Sequence, residues 1–311
     1  MQTILGANGQ IATELAKELH RNYTTDIRLV SRNPKKVNDS DQLFAANLLD
    51  PAATAEAVKG SRIVYLTVGL PASTGLWQEQ FPRFMENTIN ACAQHGARLI
   101  FFDNTYMYPQ DNRPLTEETP FEPMGPKGAV RATIARTLLN AINSGKVEGA
   151  ICRAPEFYGP DKTGGVTQTL VFKNLSKGKK PKVPLRDDKR RTLIWTPDAS
   201  KATALIGNTP DAYGQTWHLP CDDNRLTYKQ MLELISSLIG RKIDYGVMGQ
   251  LSFKASAVFN TSAKEMLEML PRYAHDNLFV SDKFKNRFPE FRVTTYEEGF
   301  KTILQQMKLV Q

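Results

Sequence analysis

Residues 2–12 read QTILGANGQIA. A short apolar run, a turn with glycines at positions 6 and 9, and a small residue at Ala12 lead into IATELAKELHR, whose apolar residues recur at helical spacing. Gly6, Gly9 and Ala12 stand at G-x-x-G-x-x-A spacing. The first glycine permits a sharp strand-to-helix turn, the second lets backbone approach a ligand, and the alanine lets the helix pack close to the strand. The helix N-terminus then offers unpaired N–H groups and a favourable dipole to phosphate. The stretch predicts a dinucleotide-binding turn with Gly6, Asn8, Gly9, Gln10 and Ile11 as its contacts.

Outward from this turn the pattern repeats. DIRLVSR, LFAANLLD (43–50), RIVYLTVG, ARLIFFDN and VEGAICRAPEFYG read as further strands. PAATAEAVKG, WQEQFPRFMENTINACAQHG and KGAVRATIARTLLNAINSG read as helices that end at glycine. Strict alternation predicts an α/β fold of Rossmann type, a doubly wound parallel sheet. Beyond residue 160 the alternation lapses. LTYKQMLELISSLIGRK with Thr227 as cap, KEMLEMLPRYAHDN and TTYEEGFKTILQQMKLV read as helices. The expected organisation is a binding domain over 1–160 and a smaller mixed α/β substrate cap over 161–311, with about 190–220 returning to the first domain.

The second strand ends in Ser31 and Arg32, where an NAD-selective site carries an acidic residue for the ribose hydroxyl. A hydroxyl and a guanidinium suit a 2′-phosphate, so NADP(H) is favoured and NAD(H) is the alternative. Asn47 and Leu48 close the third strand, and Thr67, Val68 and Gly69 the fourth. Small residues at that edge leave room for the cofactor.

Composition bounds the rest. The 311 residues are 41% hydrophobic and 23% charged. No apolar run reaches the ~20 residues of a membrane helix, and the opening MQTILGANGQIATELAKELHR, with no basic start before an apolar block, is not expected to act as a secretory signal. Cys92, Cys152 and Cys221 lie far apart and form no metal pattern with histidine, so no metal site is expected and the compartment reads as cytoplasmic. The net charge is +8, of which +7 lies in KNLSKGKKPKVPLRDDKRR (173–191). This stretch reads as a solvated loop or as a lid for an anionic small molecule. It carries no interleaved aromatic residues, which argues against nucleic acid.

The glycine turn GANGQIA, with RAPEFYGP (153–160), RRTLIWTPDASKA (190–202), the stretch 213–242 and TTYEEGFKTIL, resembles the short-chain dehydrogenase/reductase superfamily over nearly the whole chain, and most of all its extended, epimerase/dehydratase type. The resemblance implies a Ser or Thr after the fifth strand and a Tyr-x-x-x-Lys on the next helix. The tyrosine is the acid/base, and the lysine holds the nicotinamide ribose and lowers the tyrosine pKa. Lys127 matches the lysine. Pro123 stands where the tyrosine belongs, and Asn104, followed by Thr105, stands at the Ser/Thr position. This resembles the atypical branch, in which the catalytic set is degraded.

A substitute proton donor is sought in Tyr106 or Tyr108, expected on an extended segment and pointing the same way, or in Tyr158. The catalytic candidates are therefore Lys127, Asn104, Thr105 and Tyr106. Three functions stay open. The first is an NADP(H)-linked oxidoreductase on a small carbonyl or alcohol. The second is a nucleotide-sugar epimerase or dehydratase, and the third a non-catalytic NADP(H) sensor. The resemblance also implies a homodimer through the helices at about 78–95 and 127–144, the first carrying Phe81, Phe84, Met85 and Ile89.

Overall fold

The computed structural model describes residues 1–310, the side chains of Ser256, Phe259 and Ser262 apart. Its elements follow in chain order as β1 (Gln2–Leu5), α1 (Gln10–Asn22), β2 (Ile27–Ser31), β3 (Gln42–Ala45), α2 (Pro51–Val58), β4 (Ile63–Leu66), α3 (Thr74–His95), β5 (Arg98–Asp103), α4 (Pro126–Asn143) and β6 (Gly149–Arg153). Then come β7 (Glu156–Tyr158), α5 (Lys173–Ser176), β8 (Lys182–Pro184), β9 (Leu193–Trp195), α6 (Thr196–Gly207), β10 (Thr216–His218), α7 (Tyr228–Ile239), β11 (Gly246–Met248), α8 (Gln250–Phe259), α9 (Thr261–Met266), α10 (Asp282–Arg287) and α11 (Tyr296–Gln306).

The chain divides into two compact units. The first comprises 1–107, 125–154 and 199–219; the second comprises 108–124, 155–198 and 220–311. The first unit holds a seven-stranded parallel sheet in the order β10-β6-β5-β4-β1-β2-β3. Every residue of β1, β4 and β6 is buried, as expected of central parallel strands covered on both faces. The chain runs outward through β2 and β3, then returns to β4 beside β1. The sheet therefore switches direction between β1 and β4, which is where open α/β sheets bind ligands at their carboxyl edge.

Local chemistry sets the helix ends. Asp50 caps α2 by accepting from the N–H groups of Ala52 and Ala53, with Pro51 in the first turn. Gly96 ends α3 in the left-handed conformation, φ 65°. The apolar stripe of α3 is consumed within the unit, because Phe81, Phe84, Met85 and Ile89 are all buried. The outer positions Gln78, Glu79, Arg83, Glu86 and Asn90 are polar and exposed.

Four expectations are corrected. The third strand ends at Ala45 rather than continuing to 50. Asn47 accepts from the Leu49 N–H through its side chain and from the Asp50 N–H through its carbonyl, which bends the chain into the cap of α2. The sixth strand is two strands. It breaks at Ala154-Pro155, where proline supplies no N–H to a ladder, and β7 pairs with β9 in a separate two-stranded sheet. The segment KEMLEMLPRYAHDN is not one helix, because α9 stops at Met266 and Pro271 opens a 3₁₀ turn over Leu270–Ala274. The basic stretch is partly ordered, forming α5 and β8, and β8 pairs with β11.

The second unit is built on the two small sheets β7-β9 and β8-β11 and on helices α7 and α11. Capping boxes, Thr227 with Gln230 and Thr295 with Glu298, start these two helices. Its core is aromatic: Tyr158 packs against Trp195, Tyr296 and Phe300 at centroid distances of 5.2, 5.5 and 5.6 Å. Gly299 admits this packing, since a Cβ there would lie 2.6 Å from the Tyr158 ring.

Candidate cofactor and catalytic site

At the end of β1 the chain turns on Gly6, φ 96°, whose N–H, with that of Ala7, donates to the Val30 carbonyl. A Cβ on Gly6 would lie 2.8 Å from the backbone of Val68, so the loops after β1 and β4 pass in direct contact. Gly9 has the opposite surroundings. A Cβ there would meet nothing nearer than the Gly6 carbonyl oxygen at 3.9 Å. Gly9 is also the N-cap of α1 and supplies no side chain to its first turn, leaving those N–H groups for an anion. Asn8 donates through Nδ2 to the Asn33 carbonyl at 2.8 Å, tying this turn to the segment after β2.

The end of β2 carries an orphaned polar atom. The Ser31 Oγ is buried without a hydrogen-bond partner among the described residues. Arg32 beside it is exposed and forms no ion pair among them. Buried hydroxyls are normally satisfied. A hydroxyl and a free guanidinium at this edge therefore fit a bound group rich in acceptors. Thr67 differs, because its hydroxyl donates to the Leu5 carbonyl at 3.0 Å and so braces the switch point. Leu48 is buried, and its carbonyl accepts from Thr54 Oγ1 and Asn87 Nδ2, whereas Asn47 is exposed. Open space over Gly9, an uncapped helix and an unspent hydroxyl together fit a dinucleotide.

After β5 the chain does not run extended, which corrects the expected common direction of Tyr106 and Tyr108. Asn104 Oδ1 accepts the Tyr106 N–H at 3.0 Å and makes a tight turn. Tyr106 then stacks on Trp77 of α3, centroids 5.6 Å apart and planes at 16°. Thr105 is buried. Tyr108 belongs to the second unit, is buried and packs on Phe121 at 5.9 Å. Tyr158 lies in the aromatic core of that unit, where burial pushes its hydroxyl well above the usual phenol range. A packing role is what these surroundings give it.

Lys127 is 2% exposed, in the first turn of α4, so it is not a solvated surface charge. The helix starts at Pro126, whose fixed φ suits that position and whose missing N–H costs nothing there. Pro123 therefore stands ahead of the helix. One turn before Lys127 there is no helical position to carry a tyrosine.

A set of residues absent from the sequence reading surrounds this turn. Asp103, at the end of β5, is buried. Its Oδ1 accepts from Arg131 Nε at 3.0 Å, from Arg131 Nη2 at 2.5 Å and from the Asn104 N–H at 2.8 Å. Its Oδ2 accepts from Arg153 Nε at 3.2 Å. Arg131 lies four residues beyond Lys127, on the same face of α4, with its guanidinium over Phe81 and Phe101. Arg153 is the in-register partner of Asp103 on β6. The available signal was charged residues at the ends of otherwise apolar strands, RLIFFD and GAICR.

Charge elsewhere is distributed as follows. Within 173–191, Lys173, Lys177, Lys179, Lys180 and Lys182 are exposed. Arg186 pairs with Asp188, and Arg191 is buried against Glu156 and the Tyr273 ring. A cleft of about 470 Å³ in the second unit is lined by Arg190, Arg225, Asp223, Gln230 and neighbours. Among the described residues no group of His, Cys, Asp and Glu is placed to hold a metal, and no helix is long and apolar enough to cross a membrane. Burial raises all three cysteine thiols far above their ordinary range.

Comparison with known proteins accords with this arrangement. The profile of the NAD dependent epimerase/dehydratase family matches residues 3–219. No curated protein matches the chain in sequence. Solved structures match in fold at low identity. UDP-glucuronic acid 4-epimerase from Bacillus cereus in complex with NAD is 12% identical, with 99% of each chain covered and a TM-score of 0.80. UDP-glucose 4-epimerase from Thermus thermophilus, also with NAD, is 15% identical, with 99% of each chain covered and a TM-score of 0.77. A dTDP-glucose 4,6-dehydratase from Streptomyces venezuelae is 14% identical, covering 99% of this chain and 97% of that one at a TM-score of 0.77. With the family profile spanning more than two thirds of its length, the chain belongs to the NAD-dependent epimerase/dehydratase family.

Proposed function

We propose that this protein binds a nicotinamide dinucleotide at the β1–β4 switch point and uses it for reversible hydride transfer at a hydroxyl-bearing carbon of a sugar-like, anionic substrate, in an epimerase- or dehydratase-type reaction. One observation carries the reading. The carboxyl edge of the sheet that bears the uncapped glycine turn also bears Asn104, with its amide oxygen spent, and the buried Lys127. The cofactor supplies hydride acceptance and return. Asn104 Nδ2 donates to the reacting oxygen as charge develops on it. Lys127 binds the ribose hydroxyls, and Tyr106 is the group at this edge able to move a proton. The nucleotide-sugar relatives and the lysine-rich stretch 173–182 support an anionic substrate.

The cofactor is NADP(H) in this reading, because Ser31 and Arg32 offer a hydroxyl and an unpaired guanidinium where a 2′-phosphate would lie. Cytoplasmic location and a homodimer belong to the same reading. A dimer through α3 would use a polar face, since its apolar stripe is buried within the chain. A second reading, a reductase of small carbonyl compounds, is favoured by Pro123, which leaves no tyrosine on α4 beside Lys127.

Titration with NADPH and NADH, followed by nicotinamide fluorescence, tests the cofactor. NADPH binds at least ten times more tightly than NADH, and Arg32→Ala removes the difference. Equal affinities in both proteins would overturn the NADP(H) assignment. Incubation with UDP-glucose and with UDP-glucuronic acid, products read by chromatography, tests the sugar reading against a panel of small aldehydes and ketones. Turnover of the panel alone selects the second reading. Tight binding with no turnover of either makes the chain a cofactor-binding module.

A further inference from the structure

We propose that Asp103, clamped by Arg131 and Arg153, is a positioning residue that fixes which end of the Asn104 amide faces the reacting oxygen. An asparagine side chain can present either an acceptor oxygen or a donor NH₂ group, and only the donor stabilises a developing oxyanion. Here the choice is made by the backbone. The Tyr106 N–H can only donate, so the Asn104 atom 3.0 Å from it is the oxygen, and Nδ2 is the end left for a ligand. Nδ2 makes no hydrogen bond among the described residues.

That selection holds only while the Asn104 backbone stays where it is. Its N–H is bound by Asp103 Oδ1 at 2.8 Å. The same oxygen takes both Nε and Nη2 of Arg131, and Oδ2 takes Arg153 Nε. Three elements, β5, β6 and α4, thereby converge on one carboxylate whose own partner is the turn. Asp103, Arg131 and Arg153 are all buried, with side chains at most 5% exposed, so water does not compete for these bonds. The Trp77–Tyr106 stack closes the turn on its other side.

A guanidinium engages a carboxylate through a planar fork, which an ammonium cannot reproduce. Arg131→Lys therefore keeps the buried charge and loosens the clamp. NMR-detected amide exchange on the full-length, cofactor-free chain reads the result residue by residue. We expect at least tenfold faster exchange at the Asn104 and Tyr106 amides, with less than twofold change at Ile100 and Cys152 within β5 and β6. Asn104→Asp keeps the Tyr106 amide protected, since a carboxylate oxygen accepts equally well, and Asn104→Ala releases it. Trp77 fluorescence, isolated in a Trp195→Phe, Trp217→Phe background, shifts with Arg131→Lys and not with Asn104→Asp.

Uniform acceleration across β5, β6 and α4 would make the cluster a structural tie only and overturn the proposal. So would unchanged rates at 104 and 106, or a Tyr106 amide still protected in Asn104→Ala. If Arg131→Lys does not fold, Arg153→Lys, whose Nε donates to Oδ2, is read by the same criteria. The functional role of the donor end rests on the reading of the site above. The exchange rates do not, because failure to bind NADPH or NADH would sink that reading and leave them unchanged.

Discussion

A lysine at 2% exposure in the first turn of a helix is held there against a large desolvation cost, and Lys127 is engaged with its neighbours rather than solvated. In the function proposed above it binds the ribose hydroxyls, and another group is sought as proton donor. Tyr106 is the candidate whose surroundings permit it. Its ring stacks on Trp77 while the residue stays partly exposed, whereas Tyr108 and Tyr158 are buried in the second unit. Tyr106→Phe keeps the stacked ring and removes only the hydroxyl. With whichever substrate the screen identifies, kcat falls by about 10²–10⁴, and NADPH affinity and tryptophan emission stay as they were. Retained turnover would move the proton donor to another group.

At the scale of elements, the turn between β1 and α1 puts its two glycines in different surroundings. Gly6 has positive φ, and the backbone of Val68 occupies the space a Cβ needs. Gly9 has φ −79°, ordinary for any residue, and open space beside it. Gly6→Ala strains the packing of β1 on the loop after β4, and it destabilises the protein by about 1–3 kcal/mol in urea unfolding. Gly9→Ala leaves the unfolding midpoint unchanged and weakens dinucleotide binding at least tenfold, because the methyl group stands where the ligand approaches. Equal thermodynamic effects of the two would contradict this division. The motif spacing was legible in the sequence. What the sequence did not show is what crowds Gly6: the loop after β4, which arrives from more than fifty residues away.

At the scale of the molecule, tyrosines set the alkaline limit. Burial raises Tyr65, Tyr158, Tyr213, Tyr228, Tyr273 and Tyr296 above the ordinary phenol value of 10, and Tyr245, hydrogen-bonded to Asp187, is pushed up to about 12. Between pH 10 and the raised values, the unfolded chain loses these protons first. The stabilisation is thus complete below pH 10 and is lost as pH rises toward 12 and beyond. The tyrosinate absorbance of these buried tyrosines rises in one step coincident with unfolding, above the pH at which free tyrosine titrates. A gradual rise centred on 10 in the folded protein would contradict the burial. Two exposed carboxylates act on the acid side. Glu298, held below the usual carboxylate range by the Thr295 N–H, and Asp188, held there by Arg186, lose stabilisation only as pH falls through their lowered values, and both are exposed.

Alternating apolar runs and glycine-ended helices determined the parallel sheet, because burial on both faces and helix termination are properties of short stretches read alone. The glycine turn, Ser31 and Arg32 stood out as candidates for the same reason, each marking the end of a strand. Three things were decided only in three dimensions. The split of 147–159 into β6 and β7 depends on β9, which offers a new partner once Pro155 interrupts the ladder. The turn at 104–106, which the pattern FFDNTYMYP left as extended chain, depends on side-chain hydrogen bonds to its own backbone. The buried cluster of Asp103, Arg131 and Arg153 joins residues 28 and 50 positions apart. A charge at the end of an apolar strand shows in sequence only as a break in pattern. Its partner is fixed by which strand the sheet places beside it and which helix crosses above.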